Sequence, residues 1–426
     1  MGLLMLSTLL DYGYGFGVAS TDPKKSKLFL WLSIINNLGI LAVFKYYNFF
    51  VSEFQAGLDQ LGIHFNPYIL NVALPVGISF YTFHGMSYVF DIYRGNQKPI
   101  RNFVDYAVFV SFFPLLVAGP IERAHHLLPQ VQQKRKFNYE QAVDGCRLML
   151  WGFFKKVVIA DQIARGVDQI FQQHTEMSSM TLLLGAFGFA IQIYGDFSGY
   201  TDIALGTAKL FGFELLTNFR FPYFSRDIAE FWRRWHISLS SWFRDYLYIP
   251  LGGSKKGIKM AVRNTFIIFL VSGFWHGANW TFITWGFIHA CGFLPLLLLG
   301  KNRAHTTDIV AQNRMLPNLK ETMQMLLTFS FVSFSWIFFR AENLTQAWSY
   351  LTHIFQNNLP WNEGLGNRKY ILFWSLLLIV CDWFLRHNER QYNIQNKWVR
   401  QIVYFILFFL IWYHFNQETS FIYFQF

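Results

Sequence analysis

Residues 231–244 read FWRRWHISLSSWFR, and residues 270–286 read LVSGFWHGANWTFITWG. The second stretch places His276 inside a long apolar, Trp-rich run. An ionisable group at bilayer depth is expensive, by a few kcal/mol or more, so it needs a reason to be there. On a continuous helix, Gly273 would lie one turn before the imidazole and Trp280 one turn after it. Small residues let backbones approach closely, and Gly277 could leave room for a substrate. Aromatic surroundings favour a neutral imidazole, which can act as a general base on a hydroxyl. The competing reading is a structural His hydrogen-bonded to a neighbouring helix. The pattern alone leaves both open.

The run GDFSGYTD (195–202) puts Asp196, Ser198, Tyr200, Thr201 and Asp202 directly after an apolar stretch. Side chains this polar do not face lipid. The run is not G-x-S-x-G, and it lacks the strand–turn–helix setting of a nucleophile elbow. A helix break at Asp196, with its carboxylate on Arg233 or Arg234, is the expectation. Metal chemistry is not expected. His276 and His289 are thirteen residues apart, roughly 140° around a straight helix. His125-His126 reads as an adjacent pair in a loop, and HExxH is absent. Arg233, Arg234, Arg244 and the loop Gly252-Gly253-Ser254-Lys255-Lys256 concentrate positive charge. They could receive the phosphates of a nucleotide-linked donor or lipid headgroups.

The elements that must position these groups are membrane helices. Of the 426 residues, 53% are hydrophobic and 14% charged, against about 25% charged in a typical soluble domain. Apolar runs at 28–50, 68–90, 103–118, 182–195, 264–299, 325–339, 371–384 and 401–415 imply roughly nine to eleven spans or re-entrant pieces. The stretch 264–299 is long enough to span twice. The fold class is therefore all-α and polytopic, and we take residues 1–426 as one integral-membrane domain. Breakers at Pro75, Gly77, Pro114, Gly119-Pro120, Gly195, Gly199, Gly273 and Gly277 argue for an internal cavity or tunnel, because broken helices at membrane depth must be buried in protein or line one. Segment 226–247 carries Ile228, Phe231, Trp232, Trp235, Leu239, Trp242, Phe243 and Tyr246 at helical spacing, with cations opposite. It reads as one amphipathic helix in the interface plane.

The net charge of +11 comes largely from short basic loops such as Lys134–Lys136 and Lys255-Lys256. The positive-inside bias explains that arrangement, and no nucleic-acid partner is expected. Cys146, Cys291 and Cys381 lack CxxC spacing and read as isolated small residues. The N-terminus has neither a basic n-region nor a cleavage site, and Leu6 stands where a myristoylation signal needs Ser or Thr.

Five blocks in order resemble the membrane-bound O-acyltransferases, in the bacterial branch that O-acetylates alginate and peptidoglycan or transfers D-alanine. They are LPVGISFYTFHGMSYVFDIYRG (74–95), FFPLLVAGPIERA (112–124), IYGDFSGYTDIALGTAKLFGFELLTNFRFPY (193–223), FWRRWHISLSSWFRDYLYIPLGGSK (231–255) and GFWHGANWTFITWG (273–286). The resemblance implies a ring of tilted helices around a funnel. His276, flanked by Trp275 and Asn279, stands where the family's characteristic His stands and would be catalytic. His236, Asp196, Arg233 and Arg234 would support it or line the tunnel, and His289 would be structural. The implied activity is acetyl transfer from acetyl-CoA, a substrate rather than a resident cofactor, at the bacterial inner membrane. The acceptor would be an extracytoplasmic polysaccharide, reached with a periplasmic SGNH-type acyltransferase partner. Relatives begin with one or two further membrane segments that this chain is expected to lack. D-alanyl transfer and a non-catalytic transporter are the alternatives. A transporter predicts internal repeats with matching broken helices, and the sequence shows none.

Overall fold

The computed structural model of the protein describes residues 2–71, 75–356, 368–387, 394 and 396–415. Most of the polar stretches 356–370 and 386–398 therefore lie outside the described residues. All regular structure among the described residues is helical. Five segments are long and apolar enough to cross a membrane: Pro23–Gln60, Ser179–Leu210, Ile258–His276, Trp280–Leu298 and Leu319–Arg340. The chain is a multi-pass membrane protein. It divides into two units, Met1–Lys136 with Gly277–Asn279, and Phe137–His276 with Trp280–Phe426.

The first unit holds α1 (Gly2–Val18), α2 (Pro23–Leu41), α3 (Tyr47–Gln60), α4 (Ile78–Tyr93), α5 (Phe103–Val110) and α6 (Ala124–Gln132). Asp22 starts α2 by accepting a hydrogen bond from Lys24 N at 2.9 Å, with Pro23 at the first helical position. Gly77, at φ 76°, opens α4, as the Pro75–Gly77 breaker predicted. Asp11 of α1 is fully buried and accepts from Ser33 Oγ at 2.7 Å and Asn37 Nδ2 at 2.9 Å on α2. A buried carboxylate is tolerable only with such donors. His125 and His126 sit on α6 rather than in a loop, and each is held separately. His125 Nδ1 is 2.9 Å from Asp91 and His126 Nδ1 is 2.7 Å from Glu122.

The second unit holds α7 (Tyr139–Phe153), α8 (Asp161–Gln172), α9 (Ser179–Leu210), α10 (Ile228–Arg234), α11 (Ile237–Phe243), α12 (Ile258–His276), α13 (Trp280–Leu298), α14 (Leu319–Arg340), α15 (Leu344–Gln356), α16 (Arg368–Leu385) and α17 (Lys397–His414). A π-helical stretch, Phe154–Ala160, joins α7 to α8. Ser178 caps α9 by accepting from Thr181 N. The helix then runs unbroken for 32 residues, about 48 Å. Gly195 and Gly199 were expected to break it and do not. Gly199 is a packing residue. A Cβ on Gly152 of α7 would fall 2.6 Å from the Gly199 carbonyl oxygen, and one on Gly145 would fall 2.6 Å from that of Gly206. The loss of helix propensity, about 1 kcal/mol per glycine, is offset by this backbone-to-backbone approach.

The apolar stretch 264–299 forms the α12–α13 hairpin, two helices each long and apolar enough to cross a membrane. Gly273 lies against the Phe282 carbonyl and Gly286 against the Phe269 carbonyl. Segment 226–247 is not one interfacial helix. It breaks at His236, which adopts φ 44°, between α10 and α11, and ends in a π-helical stretch at Arg244–Tyr248. Its aromatics point into protein rather than lipid. Phe231 is 1% exposed, Trp235 3% and Trp242 5%. The break follows from hydrogen bonding: Ile237 N donates to Asn218 O at 2.9 Å and Arg220 N to Arg234 O at 3.0 Å. These bonds take the chain out of helical register.

Gly152→Leu or Gly206→Leu should force α7 and α9 apart, lowering stability by about 1–3 kcal/mol or more. Thermal unfolding in detergent, followed by size-exclusion chromatography, would read this. Both variants should aggregate at lower temperature than wild type, whereas Gly39→Leu, where an added side chain meets open space, should not.

Candidate active site

His276 is the last residue of α12. The helix ends there, residues 277–279 turn, and Trp280 begins α13, so Trp280 is not one turn beyond the imidazole on the same helix. The rings that meet it come from elsewhere. Trp285 of α13 presents an edge with centroids 5.3 Å apart, and Phe339 of α14 does so at 5.2 Å. Trp336 stacks on Trp285 at 5.4 Å and meets Phe339 edge-on at 5.0 Å. Trp285, Trp336 and Phe339 are fully buried, while His276 is half-buried. Rings from two other helices thus hold the imidazole, and the residue keeps partial exposure. Trp275, its neighbour on α12, is also half-buried, and Asn279 lies in the turn.

Hydrogen bonding separates the other two imidazoles from this one. His289 is wholly buried. Its Nδ1 accepts from Trp232 Nε1 at 3.2 Å, and an indole can only donate. Nε2 must then carry the proton and donate to Ser335 Oγ at 2.8 Å, which itself donates to Val332 O at 2.7 Å. Both nitrogens are occupied, and His289 is a structural link between α10, α13 and α14, as expected. His236 donates from Nδ1 to Asn218 Oδ1 at 3.1 Å, an oxygen that also accepts from Ser238 Oγ at 2.8 Å. Phe197 closes over it edge-on at 4.7 Å. Burial, and then the proximity of His276, hold the His236 imidazole well below its usual range. His236 therefore packs behind the site as a neutral group fixed by Asn218.

Asp196 does not meet Arg233 or Arg234. Its carboxylate lies 2.6 Å from Lys156 Nζ, which also contacts Asp161 at 2.8 Å. Lys155 Nζ sits 2.6 Å from Asp202 and donates to Ser198 Oγ at 3.0 Å. Nearby, Tyr194 OH donates to Asp382 at 2.8 Å. The polar density of GDFSGYTD answers two lysines delivered by the π-helical stretch. Arg233 and Arg234 are also committed elsewhere. Arg234 contacts Glu230 at 2.8 Å and donates to Asp308 O at 3.0 Å, while Arg233 donates to Asn302 O at 2.9 Å and His305 O at 3.1 Å. With Arg226 on Asp308 at 2.7 Å, they clamp the 302–308 loop and do not form an open anion site. Partially buried cations in apolar surroundings take whatever acceptors are near.

A cavity of about 230 Å³ runs beside α12. Its walls include Trp232, Phe243, Phe269 and Ser272, and two cations, Arg244 and Arg303, also line it. Ser272 is one turn before His276, and Trp232 meets Trp285 edge-on at 5.6 Å. This cavity lies within the second unit, one aromatic layer from the imidazole, and none of the expected helix breakers lines it. Of the predicted cationic cluster, Arg244 reaches it.

The model of the MBOAT, membrane-bound O-acyltransferase family, matches residues 82–337. The "Probable alginate O-acetylase" of Azotobacter vinelandii is 39% identical over 82% of this chain and 67% of its own length. The peptidoglycan O-acetyltransferase of Helicobacter pylori is 37% identical over 81% and 68%. The teichoic acid D-alanyltransferase of Bacillus subtilis is 31% identical over 57% and 63%. The chain belongs to the membrane-bound O-acyltransferase family. It spans about two thirds of the length of these curated relatives.

Membership makes the enzyme class that of an acyltransferase and confirms the resemblance read from the five blocks. Sequence reasoning missed Lys155, Lys156, Asn218 and Asp382. The signal was there for the lysines: an adjacent cationic pair inside the apolar run WGFFKKVVIA, which needs counter-charges if it packs into protein.

Two expected outcomes follow. Asp196→Asn should leave Lys156 short of a counter-charge, and breaking a buried pair costs about 3–5 kcal/mol. Protein yield should fall together with activity, as immunoblots normalised to an inert membrane protein would show. The second concerns Asp308. Burial pushes its carboxyl up, but hydrogen bonds from Arg226 and His305 outweigh that and hold it below the usual value of 3.8. A depressed folded value stabilises the loop above the ordinary aspartate range, and the contribution is lost as pH falls through the depressed value. Limited proteolysis should cut the 302–308 loop at acid pH and spare it at neutral pH. Asp308→Asn should be cut at both.

Proposed function

We propose that this acyltransferase moves an acetyl group from a cytoplasmic thioester, with acetyl-CoA as donor, across the bacterial inner membrane for O-acetylation of an extracytoplasmic polysaccharide such as alginate. The observation that carries the reading is the contrast among three imidazoles in one unit. His289 has both nitrogens engaged and His236 is buried on Asn218, whereas His276 is partly exposed in an aromatic cage, one turn of α12 from Ser272 in the cavity wall. The alginate O-acetylase and peptidoglycan O-acetyltransferase relatives support acetyl as the group. D-alanyl transfer, the function named for the Bacillus subtilis relative, is the second reading.

In the proposed step, His276 takes the proton of an acceptor hydroxyl as its oxygen attacks the thioester carbonyl. The C–S bond breaks, the thiolate leaves, and the imidazolium returns a proton to it. The acceptor is the sugar or a side chain of a periplasmic SGNH-type partner. Trp285 and Phe339 orient the ring, and His236 and Trp275 shape its surroundings. The basic loops Lys134–Lys136 and Lys255-Lys256 face the cytoplasm by the positive-inside rule, on the side of donor entry.

Labelled acetyl-CoA supplied to membranes tests the proposal. Wild type should transfer label to envelope material. His276→Ala should lose roughly 10²–10⁴-fold of the rate, the usual worth of a general base, with normal insertion. A well-folded His276→Ala protein of near wild-type activity would return the chain to the transporter reading. Label transferred only from a D-alanyl thioester would establish the second reading. Impermeant cysteine reagents applied from the periplasm should miss both basic loops.

A further inference from the structure

A larger hollow, about 520 Å³, lies between α7 and α17 on the outer face of the second unit. Three cations line it, Arg147 of α7 and Lys397 and Arg400 of α17, together with the rings of Tyr139 and Tyr404, and no carboxylate among the described residues does. The acid nearest Arg147 along α7, Asp144, is already held by Lys209 at 2.6 Å. Arg147 Nε and Tyr404 OH are buried atoms that meet no hydrogen-bond partner among the described residues. Buried donors of this kind ordinarily have an acceptor. Arg400 is steadied by a bond to Ile394 O at 3.2 Å.

The surroundings say what kind of acceptor it is. No residue of α17 is fully buried, and Trp398, Ile402, Phe405, Phe409 and Trp412 are exposed along it. In a multi-pass membrane protein such a face lies against acyl chains. The cations gather at the N-terminal end of that helix, level with Trp398 and with the exposed ring of Tyr139. Aromatic rings beside a cationic helix end mark the headgroup level. Basic pockets between membrane helices select net-negative headgroups.

We propose that the α7–α17 hollow binds a phospholipid with a net-negative headgroup. Its phosphate accepts from Arg147 Nε and Tyr404 OH, Lys397 and Arg400 supply the charge, and its chains lie along Ala142, Cys146 and Leu150. A zwitterionic lipid offers the same phosphate but no net charge to balance three cations. The lipid is thus an integral part of how α17 is joined to the rest of the unit.

The test uses the full chain in nanodiscs of phosphatidylcholine containing a minor fraction of phosphatidylglycerol, with retained lipid counted by native mass spectrometry. Wild type should retain phosphatidylglycerol at least about tenfold above its bulk fraction, since each cation near a charged headgroup is worth roughly fivefold. Arg147→Gln/Arg400→Gln should lose that enrichment. Tyr404→Phe, which removes only a hydroxyl and should fold whatever the double variant does, should weaken retention severalfold. Equal retention of the two lipids by wild type, or undiminished enrichment in a folded Tyr404→Phe and double variant, would overturn the proposal. So would release of the lipid by inorganic phosphate or free coenzyme A, which would make this a soluble-phosphate site.

Discussion

A charge taken into a medium without water must find its counter-charge inside the protein. Much of the second unit is arranged around that constraint. Lys155, and to a lesser degree Lys156, are buried, and neither could stand there without an acid. The π-helical stretch Phe154–Ala160 turns both toward α9, where Asp196 and Asp202 wait less than two turns apart, with Asp161 and Ser198 beside them. The pairing requires α7 and α9 to run almost in backbone contact, and the glycines at 145, 152, 199 and 206 permit this. An ion network of this kind is weak as a source of net stability but strongly selective for register. A slip of one residue along α9 would separate every pair at once. The small-residue seam and the ion pairs therefore specify the same arrangement.

That register carries through to the imidazoles. α9 contributes Phe197, which covers His236, and Tyr194, whose ring meets Trp235 at 6.2 Å. Trp235 meets Trp336, and Trp336 stacks on Trp285, which meets His276. A continuous aromatic stack thus connects the ion-paired helix to the cage around His276. Such packing has discrete minima and little compliance, so the position of the imidazole is inherited from helices far from it in sequence. A base must be held within a fraction of an ångström to be useful. Three of the 15 Trp residues of the chain, Trp235, Trp285 and Trp336, serve this demand.

The sequence made the helical class, the two helices of 264–299, the structural role of His289 and the family legible. Each rests on a signal that is local or cumulative: apolar run length, an isolated imidazole, five blocks in order. It misled where a local rule met a tertiary one. Gly195 and Gly199 look like breakers in a single chain, yet the helix runs through both, and Gly199 is a contact point once a second helix supplies Gly152. Residues 226–247 have clear helical periodicity, yet Asn218 captures Ile237 N and Ser238 N, and the helix breaks. Arg233 and Arg234 looked like ligand-binding cations because their partners, the carbonyls of residues 302, 305 and 308, carry no sequence signal at all. Backbone acceptors are invisible until the chain is folded.

Hydrogen bonding and exposure also set the three imidazoles apart, in a way that supports the proposed role of His276. A general base needs an imidazole nitrogen able to take a proton and a path by which the substrate can reach it. His289 fails on the first count, because Trp232 supplies a proton to one nitrogen and Ser335 takes the other. His236 fails on the second, being 3% exposed beneath Phe197 and locked at φ 44°. His276 stands at a helix end and is partly exposed. Trp285 and Phe339 meet it with aromatic edges, which constrain orientation without themselves consuming a nitrogen lone pair. Packing of this kind fixes a ring, and with its partial exposure it supports His276, rather than its two neighbours in the same unit, as the proposed base.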